Sequence, residues 1–216
     1  MRDGLASGAG WLLAAATRTI ASLRPAEKPL HPVGVTLVGH LDRRGSRTAS
    51  GVRWLDEPGR DDVLVRLSRA VGLPPPLPDI HGLALRVRSE EHPADLLLAS
   101  TGWGRLGRFA LTFGRDPRSR PLTSLLPYRT AAGAVVLGAR SSGSGDYELF
   151  WAPYDGDWRA FATLTLTGEP AADQELSFDP VLHQLPGLEQ YPAVVRLREP
   201  SYRRARKSRG QESSAR

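Results

Sequence analysis

The spacing of apolar residues constrains the fold of this chain more than any other feature. From Val33 to Thr167, apolar and polar residues alternate in short segments, and stretches rich in Gly, Pro, Ser and Asp separate these segments. A period of two predicts β-strands that bury one face. The pattern, with one weaker segment near the end, is carried by Val33–Leu41, Asp62–Ser68, Gly82–Arg88, Ala94–Ser100, Ala134–Ala139, Tyr147–Trp151, Trp158–Thr167 and Glu175–Phe178.

A helical period is confined to the two ends of the chain. Apolar residues from Trp11 to Leu23 recur at helical spacing, which predicts an amphipathic N-terminal helix that ends near Pro25. The segment after Leu188 is also predicted to be helical, with Pro200 as an early helical residue. About eight strands with few helices between them favour an antiparallel barrel or sandwich. We therefore expect a mainly-β antiparallel barrel of about eight strands with N- and C-terminal helices.

No internal repeat and no long linker divides the 216 residues. We predict an N-terminal helical segment over residues 1–27, a barrel domain with its C-terminal helix over 28–206, and a disordered basic tail over 207–216. The proline-rich run at 74–78 is expected to be a stiff connector inside the domain.

The composition excludes several kinds of site. The sequence contains no cysteine, which rules out disulfides, zinc fingers, iron–sulfur clusters and thiolate-ligated haem. This usage fits a reducing compartment. The longest apolar run near the start, residues 11–16, is far shorter than the roughly 20 residues of a membrane-spanning helix. We therefore expect a cytoplasmic protein that does not associate with a membrane.

Positive charge is concentrated at one end of the chain. The net charge is +6, and residues 196–216 hold eight basic side chains against two acidic ones, which leaves 21 of each sign in residues 1–195. A nucleic-acid-binding protein usually spreads its basic residues over a face or groove of its fold. A terminal cluster is more typical of a solvated helix and tail, so no sequence-specific nucleic-acid partner is expected.

Motifs of the common enzyme classes are missing from the sequence, but five short segments occur in an informative order. The sequence has no phosphate-binding glycine loop, no paired zinc-ligand spacing and no nucleophile-elbow serine. The five segments are His31-Pro-Val-Gly34 with Gly39, Val65-Arg66-Leu-Ser68, Asp79-Ile-His-Gly82-Leu-Ala84, Ala94-Asp95-Leu96 and Arg198-Glu-Pro-Ser-Tyr202. In this order they resemble the haem-binding core of catalases.

The resemblance is close over residues 28–100 and looser over 174–206. The chain is much shorter than a full catalase, and it looks most similar to the short, single-domain catalase-related proteins of bacteria. That resemblance implies haem b as the cofactor and a peroxide as the oxidising substrate. Within the motifs, we expect Asp79, Gly82 and Ala84 to act structurally, by turning the chain and allowing close backbone approach.

The resemblance implies a catalytic pair on one side of the haem. In catalases, the residue matched by His31 moves a proton between the two peroxide oxygens, and an imidazole suits this work because its ordinary pKa is near neutral. The residue matched by Ser68 hydrogen-bonds that histidine and fixes its tautomer. On a strand, Ser68 and Arg66 point to the same face, opposite Val65 and Leu67.

Three further matches imply how the haem is held. Arg66 corresponds to an arginine that pairs with a haem propionate, and Lys28 stands where catalases usually carry a second such arginine, with its charge but without the bidentate fork. Tyr202 corresponds to the axial ligand of the haem iron, and Arg198 to the arginine that stabilises the phenolate. On a helix, residues four apart are neighbours.

One departure from the catalase pattern bears on activity. Catalases carry an asparagine that orients the peroxide shortly after the segment matched by Ala94-Asp95-Leu96, and Ala99 stands at that position here. Ser100 or Thr101 could supply a hydroxyl in its place. We therefore expect weak or no true catalase activity, and either a slower peroxidase that oxidises a small organic donor or chemistry on organic hydroperoxides.

Two other functions stay open at this point. One is a haem-binding protein with the same site and no turnover. The other is a haem-free barrel that binds an apolar ligand or hydrolyses a phosphodiester. The sequence also leaves open whether the chain forms a homo-oligomer.

Overall fold

The alternating segments of the sequence form one continuous antiparallel sheet. The computed structural model describes residues 33–74, 76–88, 92–143, 145–172 and 176–208. Along these ranges the elements are β1 (Val33–Arg43), α1 (Arg53–Asp56), β2 (Gly59–Arg69), β3 (His81–Val87), β4 (Ala94–Ser100), a 3₁₀ turn (Gly107–Phe109), β5 (Leu122–Thr123), β6 (Tyr128–Thr130), β7 (Gly133–Ser141), β8 (Tyr147–Pro153), β9 (Arg159–Pro170), β10 (Glu189–Gln190) and α2 (Pro192–Ser208).

Eight of these strands close into a barrel. Neighbours follow the order β7-β5-β4-β3-β2-β1-β9-β8, and β7 also pairs with β8, which completes the circle. All of these pairs are antiparallel. Two short strands, β6 and β10, continue the sheet from β7 outside the circle. Closure satisfies the edges that an open sheet of this size would expose.

The alternation separates an apolar interior from a more polar outer face. On each strand, every second residue points inward, and these residues pack into one core that fills the barrel. Large buried members of that core include Trp151, Tyr147, Tyr128, Phe161, Leu41, Leu55, Leu83, Leu85, Leu122, Leu164 and Leu188. The residues between them on β2, β3 and β4 face outward, where the other elements of the chain cover them.

The predicted barrel is confirmed, and its longer strands match the alternating segments. The glycine-rich loop between β7 and β8 is a hairpin, with Gly143 and Gly145 at positive φ. The weak eighth segment was predicted wrongly in its described part. Residues 176–178 are irregular, because backbone groups there bond to side chains on the barrel: Ser177 gives its carbonyl to Arg86. Glu175 lies outside the described residues.

Three short strands, β5, β6 and β10, were not predicted, since two or three residues carry no readable period. The predicted helix of residues 1–27 lies outside the described part of the chain. At the other end, the helical prediction is confirmed by α2, which also includes residues 207 and 208 of the predicted tail. None of the helices in the described ranges is long and apolar enough to cross a membrane.

The place of Pro200 in α2 differs from the prediction. The helix begins at Pro192, where the missing N–H costs nothing, and Pro200 lies in its interior. There a proline removes one backbone hydrogen bond and weakens the helix locally. The earlier start has a favourable consequence as well, because both Arg198 and Tyr202 are inside the helix, one turn apart.

A fully buried carboxylate organises the loop between β2 and β3. Asp79 accepts backbone N–H bonds from Val71, Gly72, Leu73 and Ile80 at 2.7–3.0 Å. Burial alone raises the pKa of Asp79, but these four donors outweigh it and lower the pKa below its usual value. The structural role expected for Asp79 is therefore confirmed.

We expect Asp79→Asn to destabilise the fold by about 3 kcal/mol, because it removes a charge that satisfies buried donors. The loss should depend on pH. A lowered folded pKa contributes stability above the unfolded value of about 4, and that stability disappears as the pH falls toward the folded pKa. Urea unfolding of both proteins at pH 7 and pH 3 measures this, and the gap should narrow at pH 3. The matched control is Asp157→Asn, whose carboxylate is exposed; an equal loss in that variant would contradict the assignment.

Candidate functional site

The outer face of β1 to β4 carries a row of small residues. In register across the four strands, Gly34 lies opposite Ser68, Ser68 opposite Gly82, and Gly82 opposite Ala99. The largest side chain in this row is the hydroxymethyl group of Ser68. Because these side chains are short, a flat group can approach the backbone of the sheet closely along this row.

The next row of the same face contains Arg66, which is opposite Thr36 on β1 and Ala84 on β3. Its guanidinium lies over Gly34: a Cβ atom added to Gly34 would come within 2.9 Å of Arg66 Nε and 3.3 Å of Ser68 Cβ. No larger residue fits at Gly34 without moving Arg66. The structure thus brings Arg66 and Ser68 together on one half-buried polar patch.

Two rows from Ser68, the same face carries a buried ion pair. Arg86 and Asp95 are opposite each other in the register, and the guanidinium donates from Nε and Nη2 to the two carboxylate oxygens at 2.7 and 2.6 Å. The imidazole Nδ1 of His183 is 2.9 Å from Asp95 Oδ2 and 3.2 Å from Arg86 Nη2. The segment before α2 contacts the outer face of the barrel at this pair.

A second carboxylate connects that pair to α2. The backbone N–H of Asp179 donates to Asp95 Oδ2 at 2.6 Å, and the Asp179 side chain accepts a bond from Arg206 of α2. Arg206 also donates to Glu199, about two helical turns earlier, at 2.6 Å. Helix α2 is therefore held against the face of the barrel that carries Asp95.

The phenol of Tyr202 lies in this electrostatic environment. Burial raises the pKa of Tyr202 to about 12, and the Arg198 guanidinium opposes this by favouring the phenolate. Three more groups raise it further: the Asp179 carboxylate, the Tyr128 phenol and the Asp95 carboxylate. The phenol is therefore protonated at neutral pH, and a cation that binds its oxygen has to displace the proton.

Both described halves of the predicted site are on one side of the sheet. Arg66 and Ser68 alternate with core residues, as do Arg86 and Asp95, and the register gives all four the same outward face. Tyr202 and Arg198 belong to the helix that docks on that face through Asp95. His31 and Lys28, the two remaining predicted residues, lie outside the described residues.

The two hydroxyls expected to replace the catalase asparagine are already in use. Ser100 faces away from Ala99, is buried, donates to the Thr112 carbonyl at 2.6 Å and accepts the His81 N–H at 3.0 Å. Thr101 is equally buried, and its hydroxyl is 3.0 Å from that of Thr123. Neither hydroxyl therefore takes the place of the carboxamide beside Ala99, because Ser100 bonds to the loop after β4 and Thr101 bonds to Thr123 of β5.

Sequence reasoning missed the roles of Asp179, His183 and Arg206. Asp95 had been noted only as part of a motif, and Arg86 only as a strand residue. No local signal connects them, since Arg206 is 27 residues from Asp179 and His183 is 97 residues from Arg86. A hint was present in Asp179 followed by Pro180, a pair that favours a turn.

Comparisons with known proteins identify the fold. No protein-family model and no curated protein matches the sequence. Among solved structures, the chain is similar to a fungal catalase (TM-score 0.64, 14% identity, 92% of this chain and 62% of that one), a bacterial catalase (0.61, 14%, 89% and 59%) and catalase A from Saccharomyces cerevisiae (0.63, 10%, 90% and 63%). These similarities show a catalase-like fold. The chain spans about six-tenths of the length of these catalases.

The raised pKa of Tyr202 gives a test of its environment. A folded pKa of about 12, above the unfolded value of about 10, contributes stability that is complete below pH 10 and is lost as the pH rises toward 12. We expect the unfolding free energies of wild type and Tyr202→Phe, measured in urea, to run parallel from pH 7 to 9. Above pH 10 the wild type should fall more steeply, by up to about 1.4 kcal/mol per pH unit. Parallel curves up to pH 11 would show that the phenol is not buried.

Proposed function

We propose that this chain is a haem-binding oxidoreductase that reacts with peroxides and holds haem b between the outer face of β1–β4 and helix α2. One observation carries the proposal: the half-buried Tyr202, with Arg198 one turn away, belongs to a helix that Asp179 and Asp95 connect to the face presenting Arg66 and Ser68. The catalase-like fold supports it.

The described residues of this face fit a haem in size and charge. The row Gly34, Ser68, Gly82 and Ala99 has no side chain large enough to hold a flat macrocycle away from the sheet. Arg66 offers a guanidinium whose paired N–H groups match a propionate carboxylate. The resemblance to catalases adds Lys28 as a second cation for the propionates.

On the α2 side, Tyr202 supplies the ligand oxygen. A phenol binds ferric iron as its anion, so haem binding at neutral pH requires that the phenol proton leaves. The adjacent Arg198 guanidinium stabilises the phenolate that results and so reduces the cost of ionisation. Bound haem would supply a redox-active iron that accepts electrons from one substrate and gives them to peroxide.

On the barrel side, His31 and Ser68 handle the proton of the peroxide. The His31 imidazole takes a proton from one peroxide oxygen and returns it to the other, which needs one nitrogen unprotonated at the start. In the catalase pattern, the residue matched by Ser68, here on the outer face of β2, would hydrogen-bond the ring and so determine which nitrogen is unprotonated. We assign these roles from the catalase pattern together with the position of Ser68 beside Gly82.

The residue opposite Gly82 limits the choice of substrate. At Ala99 a methyl group replaces a carboxamide, and the hydroxyls of Ser100 and Thr101 are bonded elsewhere. Hydrogen peroxide is small and polar, so it loses one of the groups that would orient it, whereas an organic hydroperoxide can use apolar contact with Ala99 and Ala84. We therefore propose organic hydroperoxides, with a small organic electron donor, ahead of hydrogen peroxide dismutation.

The same observation favours a second candidate, a haem-binding protein without turnover. A site that holds haem through Tyr202 and Arg66 but lacks a donor at Ala99 could serve storage or sensing. Oxidation of a dye donor by haem-loaded protein, compared with His31→Ala, separates the two. Equal rates would favour the non-catalytic candidate.

We expect apo-protein titrated with haemin to bind one equivalent and to develop a Soret band and the charge-transfer absorption of a phenolate-ligated ferric haem. Tyr202→Phe should lose the charge-transfer band and weaken binding by on the order of 100-fold, because the anionic ligand is gone. Tyr191→Phe is the matched control, since Tyr191 packs on Leu126 and Val194 at the start of α2 and should bind as wild type. Identical spectra for wild type and Tyr202→Phe would refute the ligand assignment, and no Soret band in any sample would favour a haem-free barrel.

Restoring the carboxamide should shift the substrate preference. We expect Ala99→Asn to raise kcat/KM for hydrogen peroxide roughly 10- to 100-fold, because a positioned donor is worth that much to a reacting oxygen. The value for cumene hydroperoxide should stay constant or fall. The control is Ala84→Asn, which adds the same amide one row away on the same face. An equal gain in both variants, or none in Ala99→Asn, would contradict the role of position 99.

A further inference from the structure

Four charged residues, linked by side-chain bonds and by one backbone N–H, form a continuous connection from the barrel to helix α2. Arg86 holds both oxygens of Asp95, Asp95 accepts the backbone N–H of Asp179, and Asp179 accepts a bond from Arg206. We call the Asp179–Arg206 contact, with its support from Asp95, the helix clasp. It joins β4, the segment before α2, and the second half of α2 itself.

The clasp is shielded from solvent. The exposed fractions of the side chains are 0% for Asp95, 6% for Asp179 and 14% for Arg206. Such pairs are poor sources of stability, because the cost of removing the charges from water cancels much of their attraction. They are strongly directional, however, because a misplaced partner leaves a buried charge unsatisfied. The arrangement therefore indicates that the clasp fixes the position of the helix more than it adds to the free energy of unfolding.

The clasp is one helical turn from the phenol. Arg198, Tyr202 and Arg206 follow one another at intervals of four residues, so they share the face of α2 that meets the barrel. The start of the helix has its own anchor, where Val194 packs on Leu126 and Tyr191. Tyr202 lies between that apolar anchor and the clasp.

Pro200 weakens α2 between its apolar anchor and the clasp. Because proline has no N–H, the helix lacks the bond that residue 200 would donate to the carbonyl of Arg196, and it is easily bent there. The apolar anchor before Pro200 therefore does not fix the direction of the turn that follows. That turn carries Tyr202, and its direction has to be fixed from its other side, where Arg206 is located.

We infer that Arg206 and Asp179 are positioning residues for Tyr202, and that their clasp aims the phenol-bearing turn of α2 at the outer face of the barrel. The clasp itself is independent of any ligand. Its consequence for a haem iron rests on the proposed function.

The first test uses the apo-protein. In Arg206→Ala, backbone amides of residues 201–208 should exchange with deuterium at least tenfold faster than in wild type, whereas amides of β2 to β4 should be unchanged. Arg203→Ala and Arg204→Ala are the controls, because each removes one arginine from an exposed position of the same helix. Exchange in Arg206→Ala equal to that in the controls would overturn the inference.

The second test uses haem-loaded protein. Arg206→Ala and Asp179→Asn should each weaken haemin binding about tenfold and reduce the phenolate charge-transfer band per bound haem, and Arg206→Lys should restore part of both. Asparagine is used at position 179 because the Asp179 side chain also accepts the N–H groups of Val181 and Leu182, and an isosteric residue protects that turn. A full band in Arg206→Ala, with only a lowered melting temperature, would reduce the clasp to a structural contact and overturn the inference.

The two tests fail separately from the proposed function. If the wild-type protein binds no haemin, the proposed function fails, and the exchange experiment still decides whether the clasp fixes the turn. If haemin binds with a charge-transfer band that depends on Tyr202 but not on Arg206, the proposed function stands and the inference falls.

Discussion

Closure of the sheet is the constraint from which the site follows. A closed eight-stranded barrel commits every second residue of each strand to an apolar interior, so polar chemistry is confined to the outer face. On that face, side chains gain a low-dielectric environment only where another element covers them. The segment before α2 provides that cover at Arg86 and Asp95, and its Asp179 connects the buried Asp95 to Arg206 of α2. The position of Tyr202 therefore depends on a carboxylate of the barrel wall.

The barrel could be predicted from the sequence because each long strand has a local pattern of alternating apolar and polar residues. Alternation over seven or more residues, as in β2 and β9, predicts both that the segment is a strand and which of its faces is buried. The strands that were missed, such as β5 with two residues, exist only through their pairing with β4 and β7. The false strand at 176–178 failed for the same reason, since its Ser177 carbonyl bonds to Arg86 instead of a ladder. Local pattern decides the long elements, and tertiary contact decides the short ones.

In the candidate site, too, some residues could be paired from local spacing and others are brought together only by tertiary contacts. Arg66 with Ser68, and Arg198 with Tyr202, could be paired from spacing, because two residues on a strand and four on a helix are fixed distances. The groups that surround Tyr202 could not, since Asp95 and Asp179 are joined to it by folding alone. The hydroxyl of Ser100 could not be assigned from the sequence either, because spacing predicts which face of a strand a side chain is on and not which group it bonds to. Ser100 follows Ala99 in the chain, but its hydroxyl bonds to the carbonyl of Thr112.

On the proposed function, in which Tyr202 binds the haem iron, the environment of the phenol determines which cations its oxygen can bind. With a pKa of about 12, its ionisation at pH 7 costs roughly 7 kcal/mol, which any cation bound to the oxygen has to supply. A weak Lewis acid cannot do this, whereas a ferric ion, with its strong affinity for phenolate, can. The neighbouring carboxylates of Asp95 and Asp179 increase that cost, and Arg198 lowers it. If Tyr202 binds the haem iron as proposed, the carboxylates that hold the helix in place therefore also raise the free energy that the bound cation has to supply.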